Sequence, residues 1–181
     1  MVQNFNTSTI TDWLGLLAAP KLSTKPVIIL AESQDSRIKD AAAIVETRQL
    51  ASLVFLTEET FNNLSADEQQ LLVDHLCGVR KELTKETAKT LLASDTKFLA
   101  ATMVSIGQAD AYIAGNLCPT TDTIRPALKV IGTTGFASSF FLMVWQDRRM
   151  LFADCAFNIE PTSEQLARIA VDTVKSASLF G

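Results

Sequence analysis

The chain has 181 residues, 48% of them apolar and 20% charged, which suits about one ordinary soluble domain with a core of its own. Its formal net charge of -4 argues against a nucleic-acid partner, because such surfaces hold phosphate with excess cations. Met1 to Thr9 lacks the basic start and apolar run of a signal peptide, and the apolar stretch Phe140 to Trp145 is far short of the ~20 residues that cross a bilayer. A cytoplasmic protein without a membrane partner is expected.

The first strong element is Val27-Ile28-Ile29-Leu30, bounded by Lys25-Pro26 and by Ala31-Glu32-Ser33, and it reads as a buried strand. Ile38, Ala41, Ala42 and Val45 then recur at helical spacing, and Leu53 to Leu56 forms a second apolar run. Strand, helix, strand with apolar runs predicts a parallel sheet covered by helices. Ser65 with Glu68 predicts a capping box that opens a helix through Leu71, Leu72 and Leu76; Thr84 starts another through Ala88, Leu91 and Leu92. A further helix runs from Thr96 to a stop at Gly107, and Ala111-Tyr112-Ile113 is a short strand.

After that strand, Thr120-Thr121-Asp122-Thr123-Ile124-Arg125-Pro126 places a guanidinium in a hydroxyl-rich loop that leads into a helix, with Arg125 expected in its first turn. Helix starts and arginine forks both favour phosphoryl and carboxylate groups, and the carboxyl ends of parallel strands are where open α/β sheets bind ligands. The plainer reading is a capped surface helix with a solvated arginine.

Ser138 to Trp145 and Met150 to Phe157 read as an antiparallel hairpin with Gln146-Asp147-Arg148-Arg149 as a solvated turn. Pro161-Thr162 with Gln165 predicts a second capping box, and Leu166, Ile169, Ala170 and Val174 line one face of the helix that follows. Cys77, Cys118 and Cys155 form no CxxC pair and His75 is the sole histidine, so no metal site is assembled from them. Cys77 and Cys155 read as small buried hydrophobes, whereas Cys118 sits in a loop.

Taken together, Val27 to Ala42 with its Glu32-x-x-Asp35-x-Arg37 turn, Gly107 to Arg125, Ser138 to Met143, Leu151 to Asn158 and Pro161 to Ala170 resemble, in order and spacing, the phosphate acetyltransferase and phosphate butyryltransferase family, from about Lys25 to Gly181. The resemblance implies an α/β fold: a three-layer parallel-sheet domain similar to isocitrate and isopropylmalate dehydrogenases, residues 1–137, followed by the start of a second α/β domain, 138–181. It implies reversible acyl transfer between coenzyme A, as a substrate, and inorganic phosphate, with no metal, no bound cofactor and no covalent acyl-enzyme, in a cleft between the domains. Arg125 matches the family arginine that holds phosphate or acyl phosphate, Arg80 matches a second cleft arginine, and Thr120 and Thr121 would add hydroxyl donors. A homodimer is a further implication.

The chain departs from the family pattern at Ala31 and Ser33, where a proline and a glycine are usual, and at Cys118-Pro119, where a histidine is common. The loop Gly132 to Gly135 also looks shortened. Family members continue past Gly181 into a part that carries a serine, an arginine and the aspartate general base, and neither Asp122 nor Asp154 corresponds to that base. An amino-terminal fragment of a longer protein is the expectation, with the last helix leaving its apolar stripe uncovered. Two readings stay open: an acyltransferase, or a catalytically silent phosphate-binding or assembly domain of the same fold.

Overall fold

The computed structural model describes residues 24–145 and 148–178, and the chain divides into two compact units, one spanning 20–132 and the other including 133–181. In the first unit, β1 (Val27–Leu30), β2 (Ser52–Phe55) and β3 (Ala111–Ile113) form a parallel sheet in the order β2-β1-β3. Val27 lies opposite Ser52, and Ile28 opposite Ala111. The expected strands are all present.

Period-two alternation sorts the central strand between two sides. Ile29 and Ala31 enter the main core, which includes Leu56, Phe61, Leu72, Leu76, Leu92 and Leu99. Leu56 directly follows β2, and the others come from the turn α2 (Thr60–Asn63) and from α3 (Ala66–Val79), α4 (Lys85–Ser94) and α5 (Thr96–Ser105). Ile28 and Leu30 instead meet Ile38, Ala41 and Val45 of α1 (Ser36–Thr47), around an apolar groove of about 310 Å³.

Helix starts follow the expected chemistry. Ser65 and Glu68 make a reciprocal capping box on α3, and Thr84 caps α4 through the Thr87 amide. Asp95 caps α5, whose end is followed by Gly107 at φ 78, a left-handed stop. Helix α6 (Thr120–Pro126) continues into a π-helical turn, Ala127–Ile131, after Pro126 removes a backbone donor.

The second unit holds the antiparallel hairpin β4 (Phe140–Trp145) and β5 (Arg148–Ala153), then α7 (Ser163–Ala177). Arg148 and Arg149 belong to β5, pairing with Trp145 and Val144, rather than to the turn, while Gln146 and Asp147 lie outside the described residues. Strand β5 stops at Ala153 instead of reaching Phe157, because the Asp154 carboxylate accepts from the amides of Ala156, Phe157 and Asn158 and closes a turn. Cys155, expected to be buried, is exposed in that turn; Cys77 is half-buried against the main core.

Thr162 and Gln165 form the expected capping box on α7. Of its apolar face only Ile169 is buried, and Leu166 and Val174 stand exposed, Val174 at 71%. Among the described residues, no helix is long and apolar enough to cross a membrane.

Candidate functional site

The strand order puts β2 and β3 on opposite sides of β1, so the segments leaving the carboxyl ends of β1 and β3 diverge there. Open parallel sheets bind ligands at such a point. The segment after β1 carries Glu32, Ser33, Asp35 and Arg37; the segment after β3 carries Gly115 to Cys118 and runs into α6.

Glu32 is a carboxylate with only 5% of its surface exposed. It accepts hydrogen bonds from three successive backbone amides, Gly115 at 2.9 Å, Asn116 at 2.6 Å and Leu117 at 3.2 Å. Burial alone would raise its pKa, but these amides and the Cys118 side chain outweigh it and hold the carboxyl below its ordinary value. The three N–H groups are therefore committed to Glu32 and cannot serve an incoming anion.

Asp35 and Arg37 reach the same loop. The Asn116 amide nitrogen donates to Asp35, and Arg37 donates from Nη2 to the Asn116 carbonyl at 3.2 Å and to Asp35 at 2.7 Å. Ser33, which stands where a glycine was the usual residue, donates its hydroxyl to the Leu56 carbonyl and ties this turn to the end of β2. A cavity of about 200 Å³ opens beside the loop, lined by Glu32, Glu58, Asp95, Lys97, Leu117 and Cys118 among others.

The start of α6 is packed onto the loop. Gly115 has φ 101, and a Cβ there would meet Thr123 Oγ1 at 2.9 Å, so both conformation and space require glycine. The Tyr112 hydroxyl donates to the Thr123 carbonyl at 3.1 Å, and Cys118 Sγ lies 3.3 Å from Thr123 Oγ1. The cysteine thus points its sulfur inward against α6. Pro119 is the N-cap and makes no side-chain capping hydrogen bond, while the Thr123 hydroxyl donates to its carbonyl at 3.5 Å.

The expected phosphate residues fall as follows. Thr120 and Thr121 form the first turn of α6 and are exposed. Arg125 sits in the last turn, not the first, because the helix begins as early as Thr120 once Pro119 has fixed its approach. The guanidinium is exposed, at 55%, and faces Asp122 at 3.5 Å. An exposed pair of this kind is worth only about 0.2–1 kcal/mol, so Arg125 can exchange Asp122 for a phosphoryl group at little cost.

Arg80 is placed differently. It is the C-cap of α3, half-buried, and its Nε donates to Glu82 at 2.6 Å while Nη2 holds the same carboxylate. The side-chain hydrogen bond from Arg80 holds the Glu82 carboxyl below its ordinary value. No hydrogen bond or ion pair joins Arg80 to Arg125, Thr120 or Thr121. Recruiting Arg80 to an anion requires it to release Glu82.

Neither aspartate considered from the sequence is shaped as a free base. Asp122 faces Arg125. Burial tends to raise the Asp154 pKa, but Ser139, Asn158 and the turn amides lower it far below the carboxylate range, which leaves a weak proton acceptor. Sequence reasoning singled out the Glu32-Asp35-Arg37 spacing but gave these residues no role.

Comparison with known proteins supplies the remaining evidence. Residues 16–181 match the model of the family described as Phosphate acetyl/butaryl transferase. A phosphate acetyltransferase of Staphylococcus aureus strain MRSA252 is 32% identical over 194 residues, covering 95% of this chain and 59% of that protein. One from Nitratidesulfovibrio vulgaris is 32% identical over 177 residues, covering 85% of this chain and 25% of that protein. In structure, a phosphotransacetylase from Streptococcus pyogenes superposes with a TM-score of 0.82 at 30% identity, over 96% of this chain and 60% of that one. The chain therefore spans between about a quarter and three fifths of the length of these relatives. With this match across most of its length and the same α/β architecture, the chain belongs to the phosphate acetyl/butyryl transferase family.

Proposed function

We propose that this chain contributes the phosphate side of an acyltransferase that moves an acetyl or other short acyl group between coenzyme A and inorganic phosphate. The observation that carries the reading is Arg125: an exposed, weakly paired guanidinium on a helix whose first turn carries Thr120 and Thr121 and which is packed onto the loop at the carboxyl edge of a parallel sheet. In this reading Arg125 binds the phosphoryl group in a bidentate fork, Thr120 and Thr121 donate hydrogen bonds, and Arg80 adds charge after parting from Glu82. As the thiol of coenzyme A attacks the acyl carbonyl of acetyl phosphate, the bond between the acyl carbon and the phosphate oxygen breaks, the thiol proton passes to the departing phosphate, and the hydrogen phosphate dianion that leaves is held by the guanidinium. The reverse reaction uses the same contacts.

Coenzyme A enters as a substrate, without metal or bound cofactor, and the whole enzyme works in the cytoplasm as a homodimer. The unit of residues 20–132 corresponds to the first domain of a fold similar to isocitrate and isopropylmalate dehydrogenases, and the hairpin unit begins the second. The engaged state of Asp154 favours a second reading, in which the chain binds phosphate or acyl phosphate without turning it over.

Thiol release from acetyl-CoA in phosphate or arsenate, measured on the 181-residue chain beside Arg125→Ala, separates the two. Turnover that falls by about a hundredfold or more in the variant supports the acyltransferase reading. Phosphate binding lost in the variant, without turnover in either protein, supports the silent one. Equal behaviour of both proteins in binding and turnover removes Arg125 from the site.

A further inference from the structure

The Glu32-x-x-Asp35-x-Arg37 turn directs all three of its side chains at one tripeptide, Gly115-Asn116-Leu117, which is 83 to 85 residues away from Glu32 in the chain. We propose that Glu32, Asp35 and Arg37 are positioning residues: a clamp that fixes the Gly115–Leu117 loop so that α6 presents Thr120, Thr121 and Arg125 to a phosphoryl anion. The proposal rests on the phosphate reading of Arg125 given above.

The geometry leaves the loop little freedom. Glu32 takes the three amides, while Asp35 and Arg37 take the side-chain nitrogen and the carbonyl of Asn116, so both polar groups on either side of that residue are tied. Movement at the loop is passed to α6 by contact, because Gly115 packs against Thr123 with no room for a methyl group between them. Tyr112 holds the same residue from β3. Among the described residues, the hydrogen bonds of the Glu32 carboxylate go to residues 115–118. A misplacement of about 1 Å in a group that orients an anion can weaken function about a hundredfold, so fixing this loop matters more than the small exposed pair at Arg125.

The test uses the full chain with inorganic phosphate as the probe, in five forms: unaltered, Glu32→Gln, Asn116→Ala, Arg125→Ala and the surface control Asp74→Ala, which breaks the exposed pair with Lys85 and a hydrogen bond from Gln70, both away from the loop. Glutamine keeps the shape of Glu32 but turns an NH2 group toward an amide; alanine at 116 frees the loop from Asp35 without disturbing the buried carboxylate. Binding is read by calorimetry, and hydrogen exchange is followed at the Asp122 and Thr123 amides, which bond to the Pro119 carbonyl. The expected result is phosphate affinity lower by about tenfold or more in Glu32→Gln and Asn116→Ala, with faster exchange at 122 and 123 but unchanged exchange in α4.

Affinity equal to the unaltered chain in both clamp variants, while Arg125→Ala fails to bind, overturns the clamp. If Glu32→Gln does not fold, Asn116→Ala decides. If the unaltered chain does not bind phosphate, the phosphate reading fails by itself, and the clamp is judged on exchange: faster at 122 and 123 in Asn116→Ala than in Asp74→Ala upholds it, equal rates overturn it.

Discussion

At the residue scale, the two carboxylates that organise this molecule do so as hydrogen-bond acceptors for backbone amides. Glu32 gathers three amides across the sheet edge, and Asp154 closes the turn that ends β5. Burial opposes a lowered pKa in both, but the loop amides and Cys118 outweigh it at Glu32, and Ser139, Asn158 and the turn amides outweigh it at Asp154. A carboxyl whose folded pKa is depressed contributes stability above its unfolded value and loses it as pH falls, so both groups favour the folded state at neutral pH, begin to lose that contribution near pH ~4 and lose the rest as pH falls through the depressed folded values. Urea unfolding of Asp154→Asn is expected to show lower stability than the unaltered chain at pH 7 and a smaller fall between pH 5 and pH 3. An unchanged slope would assign the acid sensitivity elsewhere.

Gly115 makes a second residue-scale case. Alanine there would have to adopt φ 101 and place its Cβ 2.9 Å from Thr123 Oγ1. Backbone strain of that kind costs about 1–3 kcal/mol. Gly115→Ala is expected to lower unfolding free energy by that amount and to weaken phosphate binding along with it; a neutral effect on both would show that the loop relaxes freely.

At the element scale, the parts of the fold that were legible in the sequence are those whose signal is local. The runs Val27–Leu30 and Leu53–Phe55, the boxes Ser65 with Glu68 and Thr162 with Gln165, and the stop at Gly107 all depend on residues within a few positions of one another. The end of β5 is harder to read, because Leu151 to Phe157 is apolar except for Asp154, and it is the turn bonds of Asp154 that end the strand. Arg125 was placed in the wrong turn of α6 for a similar reason: the helix start is set by Pro119 and by packing on Gly115, which spacing alone does not reveal. The role of Glu32 had no local signal at all, since its partners lie more than eighty residues away.

The capping box on α7 gives the prediction for this scale. Thr162→Ala removes the acceptor for the Gln165 amide and should cost about 0.5–2 kcal/mol, while Thr162→Ser should cost much less. Circular dichroism with urea unfolding measures both. Equal losses would mean that the helix start depends on the threonine methyl group and not on its oxygen.

At the scale of the whole molecule, family membership and site geometry point the same way but cover different ground. The match over residues 16–181 gives the family, while the chain covers only between about a quarter and three fifths of these relatives. In the described units Arg125 pairs weakly with Asp122, while Arg80 is bound to Glu82, and the proposed phosphate site rests on the first of these. An acidic chain with a net charge of -4 can still bind a dianion when the cation is presented locally, because solvent and salt screen charges beyond about 8–10 Å.

The most direct measurement is an NMR titration of the isotope-labelled 181-residue chain with acetyl phosphate, followed residue by residue at the backbone amides and at the Arg125 guanidinium. Saturable shifts centred on Thr120, Thr121 and Arg125, absent in Arg125→Ala, are the expected result. Saturable shifts centred on other residues, or none at all at millimolar ligand, would contradict the placement of the phosphate site on α6.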